Sequence, residues 1–247
     1  PDGSYGVFVR SDTNVEDLPG FTGAGINLTV PNVVGFDNIV QAMRDVWASP
    51  FTERSYGWRQ GIMNDPEHVY ASVLLHRSVN ADISGVLVTA DAETGARDHI
   101  TVVVNEGVGG GVEGQAAESL LIRKSDGKVS LLGSATAPYK RILKTSRGSE
   151  LVSTSGAERL LTADKIAALL KFVSQLPGWF DTLPPEERAD AVADVEFGFV
   201  GDKLYLFQIR PFVQSQGASS SGYLRSLDEG LVQSSTVRGN LGRPPGG

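Results

Sequence analysis

Four strongly polar residues interrupt two apolar stretches near residue 200, and their types suit a metal or phosphate site. Asp194 and Glu196 alternate with valine and phenylalanine, and Gln208 and Arg210 alternate with large apolar residues. A period of two is typical of β-strands. Carboxylate and amide oxygens are hard ligands suited to Mg²⁺, whereas a guanidinium suits phosphate oxygens. The alternative is an ordinary amphipathic hairpin whose polar face is solvated.

The pairing of the two strands decides whether these four side chains meet. Residues 201–203 separate the strands and carry a Gly-Asp turn signal. A three-residue loop over 201–203 pairs Glu196 with Gln208 and Asp194 with Arg210. A two-residue loop mixes charged and aromatic side chains on both faces, because a slip of one residue moves every side chain to the opposite face. We therefore predict the three-residue loop and one polar face.

The elements around these residues must position them. Arg10 directly follows a predicted strand, Tyr5–Val9, and Ile100–Val104 is a β-branched run consistent with a central strand. Asp37–Trp47 and Thr162–Leu176 repeat apolar residues at helical spacing, each with its first residue as N-cap. Helices and strands do not alternate cleanly. We therefore predict an α+β fold with mixed or antiparallel sheets and flanking helices, rather than a doubly wound parallel sheet.

Two glycine clusters, Gly20–Gly25 and Gly107–Gly111, are candidates for close backbone approach to an anion. Successive amide N–H groups in such loops can form anion-binding concavities. Neither cluster has the Gly-Lys-Ser/Thr of a P-loop or the spacing of a dinucleotide fingerprint. An ordinary turn is the alternative at both places.

Composition limits the function classes. The 247 residues carry a net charge of −7, which argues against a nucleic-acid binder. No cysteine is present, so thiolate nucleophiles and cysteine-based zinc sites are excluded, and the three histidines show no metal-ligand spacing. Apolar runs are too short to cross a bilayer, so no membrane partner is expected. We expect a cytoplasmic location; export stays open as an alternative because a signal upstream of Pro1 would lie outside the sequence.

The composition changes after Pro211. A Ser/Gln/Gly-rich stretch follows, and the last residues offer little to bury. We therefore divide the chain into a domain over residues 1–213 and a linker with a low-structure tail over residues 214–247.

Several short motifs follow one another in a fixed order: Val9-Arg10-Ser11, Glu16–Gly20, Gly23-Ala24-Gly25, Val46–Ser49, Phe51–Arg54, Ser84–Leu87, Gly107-Val108-Gly109, Asp194–Glu196 and Gln208–Pro211. Together they resemble a known family, the nucleotide-binding domain of pyruvate, phosphate dikinase and phosphoenolpyruvate synthase; starch water dikinases are similar. The motifs span about Tyr5 to Val213. The resemblance implies an ATP-grasp fold, in which two α+β lobes clamp ATP and Mg²⁺.

The resemblance also implies roles for individual residues. Arg10 contacts nucleotide phosphates and Arg210 stabilises the transferring phosphoryl group, so both are candidate catalytic residues. Glu196 and Gln208 bind the metal. The remaining nucleotide-binding candidates are Gly23, Ala24, Gly25, His76, Gly107, Gly109 and Asp194, with His76 at a position where the family commonly has glutamine beside adenine.

Three departures from the family pattern qualify these expectations. The family has an upstream segment with an ATP-binding lysine, which the sequence lacks before Arg10. Gly110 stands where glutamate is usual. The Gly-Gly…Ser-His motif of the phosphoryl-accepting histidine is absent. We therefore expect the ATP-binding portion of a dikinase-like phosphotransferase whose acceptor histidine lies outside this chain. The alternatives are a degenerate ATP-grasp module that only binds and, third, a carboxylate–amine ligase.

Overall fold

The computed structural model describes residues 5–14, 17–18, 21–22, 27–60, 63, 65–109, 116–176 and 191–212. The strands are β1 (Val7–Thr13), β2 (Asp17–Leu18), β3 (Phe21–Thr22), β4 (Thr29–Val33), β5 (Ala71–Arg77), β6 (Ile83–Val88), β7 (His99–Glu106), β8 (Glu118–Arg123), β9 (Val129–Gly133), β10 (Tyr139–Leu143), β11 (Ser149–Ser153), β12 (Ala193–Val200) and β13 (Lys203–Pro211). The helices are α1 (Phe36–Ala48), α2 (Glu53–Gln60) and α3 (Ala163–Gln175), with a 3-10 turn at Ser49–Phe51. Within these ranges, no helix has the length and apolar character needed to span a bilayer.

Two sheets dominate the fold. The larger has six strands in the order β13-β12-β6-β7-β8-β9, and the smaller has three in the order β4-β1-β5. Neighbouring strands in both sheets run antiparallel. Strands β10 and β11 form a separate antiparallel ladder, which a parallel bridge between Gly107 and Arg141 joins to the end of β7. The predicted α+β class with antiparallel sheets is confirmed.

Helix α3 covers one face of the six-stranded sheet. Leu87, Val102, Leu120 and Val195 lie at aligned positions on β6, β7, β8 and β12, and all four are fully buried in one cluster with Leu169 of α3. Thr162 is the N-cap of α3, as predicted, and its hydroxyl accepts a hydrogen bond from the Lys165 amide. The opposite face of the sheet is left to carry the polar side chains of β12.

Helix α1 covers one face of the three-stranded sheet. Val9, Val33, Ala42 and Val46 form the buried cluster between them. The predicted N-cap at Asp37 is wrong: α1 begins at Phe36 after Gly35, whose φ of 89° suits glycine. Asp37 instead lies in the first turn, where its charge still favours the helix N-terminus.

The β12–β13 hairpin differs from the prediction at its turn and agrees with it further along. Val200 pairs with Lys203, so the loop has two residues and the predicted three-residue loop is wrong. Gly201 has a φ of 56°, as the first position of a type II′ turn requires. The register then shifts between Glu196 and Phe197.

This β-bulge restores the predicted pairs. Beyond the bulge Glu196 faces Gln208 and Asp194 faces Arg210, as the alternation of side chains along the strands predicted. Phe207 is the extra residue, because its neighbours Leu206 and Gln208 pair with the consecutive residues Phe197 and Glu196. The predicted three-residue loop would place the Phe207 side chain on the face that α3 covers, and the bulge removes it from that face.

Phe207 joins the two sheets next to the polar residues. Its ring lies over Gly198, where a Cβ would come within 2.8 Å of the ring atom Cζ. It packs in a small apolar cluster that includes Phe8 of β1 and Leu143 of β10. Strand β1 is thereby held against the polar face of the hairpin.

Candidate functional site

Arg10 brings the two sheets together at the polar face of the hairpin. One terminal nitrogen of its guanidinium, Nη2, donates a hydrogen bond to Gln208 Oε1 at 2.6 Å. The other, Nη1, lies 3.7 Å from Glu196 Oε2. The Arg10 and Glu196 side chains keep 22% and 25% of their surface exposed, so the contact is partly buried and solvent reaches it. The structure therefore unites three residues predicted for one site, 198 positions apart in the case of Arg10 and Gln208.

Asp194 and Arg210 form a second pair on the same face. Nε and Nη2 of Arg210 both lie 2.8 Å from Asp194 Oδ2, and the side chains are 19% and 12% exposed respectively. The other carboxylate oxygen, Asp194 Oδ1, is buried and has no hydrogen-bond partner among the described residues. The pairing leaves Asp194 with one hard acceptor oxygen that the Arg210 guanidinium does not use.

His76 lies on β5 beside this cluster. It pairs with Phe8 of β1, two residues along from the Arg10–Leu74 pair, so it shares a face of the sheet with Arg10. Burial lowers the pKa of His76, the Arg10 charge lowers it further, and Glu196 opposes both effects. The imidazole is therefore held neutral near pH 7, with one nitrogen able to accept a hydrogen bond and one able to donate.

The glycine loop after β7 uses its amides inside the protein. Gly107 and Gly109 have φ angles of 79° and 80°, which favour glycine. The Gly107 amide donates to Asp82 O at 2.8 Å, and the Gly109 amide donates to Ser84 Oγ at 2.9 Å. The assignment of both glycines to nucleotide contacts stays a prediction, and any such contact would have to use other groups of the loop or a rearranged loop.

Ser84 is a positioning residue that sequence reasoning did not single out. Its hydroxyl donates to Gly107 O at 2.6 Å while accepting from Gly109, so one buried side chain fixes both ends of the glycine turn. The signal in the sequence was a serine within an otherwise apolar strand, directly before Gly85. A Cβ on Gly85 would lie 2.1 Å from Val103 O, which shows how closely β6 and β7 approach at that point.

Several predicted residues lie outside the described part of the chain. These are Gly23, Ala24 and Gly25 of the first glycine cluster, Gly110 of the second, and the tail over residues 214–247. Their assignments stay predictions.

The donor set fits a magnesium ion that is shared with phosphates. Within the described residues, no three side chains of His, Cys, Asp or Glu converge as a complete metal cage. Glu196 and Gln208 do face each other across the hairpin, and the unpartnered oxygen of Asp194 lies two residues away along β12. Mg²⁺ commonly takes one or two carboxylates from the protein and completes its coordination with water and substrate phosphates. All three oxygens are hard ligands of the required kind.

Carboxylates for a metal and guanidiniums for phosphate oxygens are the groups that nucleotide-dependent phosphotransferases bring together. An α+β domain with both at the junction of two sheets belongs with the nucleotide-binding proteins. Comparison with known families agrees: this chain belongs to the family described as the pyruvate phosphate dikinase AMP/ATP-binding domain, which matches residues 3–229.

Individual relatives are much longer than this chain. It is 26% identical over 253 residues to a phosphoenolpyruvate synthase from Pyrococcus furiosus, covering 97% of this chain and 29% of that protein. It is 31% identical over 210 residues to a rifampicin phosphotransferase from a Streptomyces species, covering 82% of this chain and 23% of that protein. A rifampicin phosphotransferase from Bacillus subtilis is 30% identical over 206 residues, again 82% of this chain and 23% of the relative. The chain thus spans about a quarter of the length of these relatives.

Proposed function

We propose that this chain binds ATP with Mg²⁺ between the three-stranded sheet and the β12–β13 hairpin, in an ATP-grasp arrangement. It would serve as the ATP-binding portion of a dikinase-like phosphotransferase. The observation that carries the proposal is the meeting of Arg10 from one sheet with Glu196 and Gln208 from the other. A cation-binding pair and a phosphate-binding guanidinium then lie within one side chain's length of each other.

We assign each residue a role that its position and chemistry support. Arg10 exchanges its contacts to Gln208 and Glu196 for phosphate oxygens, and Arg210, oriented by Asp194, donates to the phosphoryl group that is transferred. Glu196 and Gln208 hold the metal ion, which neutralises phosphate charge when bound. We assign His76, kept neutral by burial, to stacking on the nucleobase or hydrogen-bonding to it.

The acceptor of the phosphoryl group is a histidine outside this chain. Two of the similar proteins are named phosphotransferases, and the chain accounts for 23% of the length of each, which leaves room for an acceptor domain in such a protein. Of the three histidines here, His76 serves the site itself, and His68 and His99 pair with Asp65 and Asp98. We therefore propose that the ATP site lies in this domain and the phosphoryl-accepting histidine lies in another.

Calorimetric titration with an unhydrolysable ATP analogue tests the ATP site. We expect binding that strengthens with Mg²⁺ in the wild type, and loss of that strengthening in Glu196→Ala. Glu150→Ala, which removes an exposed glutamate from β11, is the matched control and should behave as the wild type. A folded wild-type chain that binds no analogue with or without Mg²⁺ would contradict the proposal. An unchanged response to Mg²⁺ in Glu196→Ala would contradict the metal assignment alone.

A second candidate is a module that binds nucleotide without transferring phosphate. The observation in its favour is that the Gly107 and Gly109 amides, expected to face phosphates, are engaged with Asp82 and Ser84. Mg²⁺-dependent ATP hydrolysis to water separates the two, since a transfer-competent site should show slow turnover that Arg210→Met abolishes. Binding without any turnover that depends on Arg210 would favour the second candidate.

A further inference from the structure

Arg10 contacts the same two oxygens that are proposed to hold the metal. Its guanidinium is 2.6 Å from Gln208 Oε1 and 3.7 Å from Glu196 Oε2. Because a guanidinium is always charged and donates directed hydrogen bonds, it hydrogen-bonds to the Gln208 oxygen and balances the charge of Glu196, as a metal ion at this position would. One positively charged group and one metal ion cannot both occupy this position.

Charge balance indicates when a cation can displace Arg10 from these oxygens. The carboxylates of Asp194 and Glu196 face the guanidiniums of Arg210 and Arg10, so the four formal charges cancel. A divalent cation that enters alone must displace Arg10 from both oxygens and then lies close to two guanidinium groups. A nucleotide brings phosphate oxygens that accept Arg10 and compensate the added positive charge.

We propose that Arg10 competes with the divalent cation for Glu196 and Gln208, so that the cation binds tightly only together with nucleotide phosphates. The inference rests on the proposed ATP site and adds the order in which its parts assemble. Since coupling between two ligands is reciprocal, the nucleotide must raise the affinity for the cation as much as the cation raises the affinity for the nucleotide. Arg10 is thus both a phosphate ligand and the group that sets this coupling.

The contact geometry offers a graded series of variants. Arg10→Met removes the charge and keeps a long side chain. Arg10→Lys keeps the charge on a single ammonium, which cannot contact both oxygens in the forked manner of a guanidinium. Arg77→Met is the matched control, because Arg77 lies on the adjacent strand β5 next to His76 and belongs to the opposite face of the sheet.

Titration of the chain with Mn²⁺ in the absence of nucleotide tests the competition, with the electron paramagnetic resonance signal of free Mn²⁺ as the readout. We expect Arg10→Met to bind Mn²⁺ at least about tenfold more tightly than the wild type, a change of ~1.4 kcal/mol. Arg10→Lys should show a smaller gain and Arg77→Met none. Adding Glu196→Gln to Arg10→Met should remove the gain, because the carboxylate that takes the ion is then neutral.

Equal Mn²⁺ affinity in the wild type and Arg10→Met would overturn the competition, whether both bind weakly or both bind tightly. If Arg10→Met does not fold by circular dichroism, Arg10→Lys decides, and an affinity equal to the wild type overturns the proposal. Titration of the wild type with the ATP analogue distinguishes the two levels of inference. A gain of Mn²⁺ binding in the variants with no analogue binding supports the competition between Arg10 and the cation but refutes the ATP site and the coupling to nucleotide. Analogue binding without that gain supports the ATP site and refutes the competition.

Discussion

Ser84→Ala is the sharpest test of how the glycine loop is held. The substitution removes the donor to Gly107 O at 2.6 Å and the acceptor of the Gly109 amide at 2.9 Å. A typical hydrogen bond contributes about 0.5–1.5 kcal/mol net, and a buried partner left unpaired costs more than an exposed one. Ser84 is buried and so is Gly107, so we expect a loss of about 2 kcal/mol in the free energy of unfolding.

For a domain of this size, ~1 kcal/mol lowers the melting temperature by about 2–4 °C, so Ser84→Ala should melt about 4–8 °C lower. Hydrogen exchange provides a local readout, because the Gly109 amide loses its acceptor and should exchange faster than amides in the middle of β7. Affinity for the ATP analogue should fall in parallel if this loop borders the nucleotide. Ser130→Ala is the control, since Ser130 is exposed on β9. A melting temperature no lower than that of the control, together with unchanged exchange at Gly109, would refute the role given to Ser84.

Three further predictions concern pH and packing. Burial lowers the pKa of His76 below its ordinary value of 6.5, so the unfolded chain binds more protons there and stability falls as the pH drops through the folded pKa. His76→Gln should therefore lose less stability between about pH 7 and pH 5 in urea unfolding. Gly85→Ala should fail to fold by circular dichroism, because its Cβ would lie 2.1 Å from the backbone oxygen of Val103. Glu118→Gln should lower the free energy of unfolding in urea by about 1.5–3 kcal/mol, because the fully buried Glu118 carboxylate accepts 2.7 Å hydrogen bonds from Arg159 and the Leu160 amide.

Distinct results would contradict each of these predictions. If the stability of the wild type and of His76→Gln depends on pH in the same way, His76 is not the source of the pH dependence. A Gly85→Ala variant with native stability would mean that β6 and β7 separate more easily than their spacing indicates. An unchanged free energy of unfolding in Glu118→Gln would mean that the amide replaces every hydrogen bond of the carboxylate.

The sequence predicted the polar face of the hairpin because a strand's alternation is local and strict. Asp194 and Glu196 had to share a face whatever the turn, and the apolar neighbours demanded the other face. The turn itself was predicted wrongly. The prediction of a three-residue loop assumed an uninterrupted ladder of strand pairs. The bulge at Phe207 allows a two-residue loop to reach the same pairing.

Contacts between distant segments left no comparable trace in the sequence. Helix α2 (Glu53–Gln60) has no continuous apolar stripe, and Arg59 helps to anchor it as a buried side chain that donates to the carbonyls of Pro50 and Pro66. The meeting of Arg10 with Gln208 depends on how two sheets pack. Only the family resemblance predicted that Arg10 and Gln208 serve the same ligand, and it did not predict a direct contact between the two side chains.

The bulge at Phe207 also makes the pairing of the polar residues independent of whether the turn has two or three residues. The same sequence has two ways to close the hairpin: a two-residue loop with the bulge, or a three-residue loop without it. Both place Glu196 opposite Gln208 and Asp194 opposite Arg210, so the two forms differ only in the pairing of residues 197–207. In the bulged form the ring of Phe207 lies over Gly198. A change of one residue in the length of this turn can therefore leave the register of the proposed site residues unchanged.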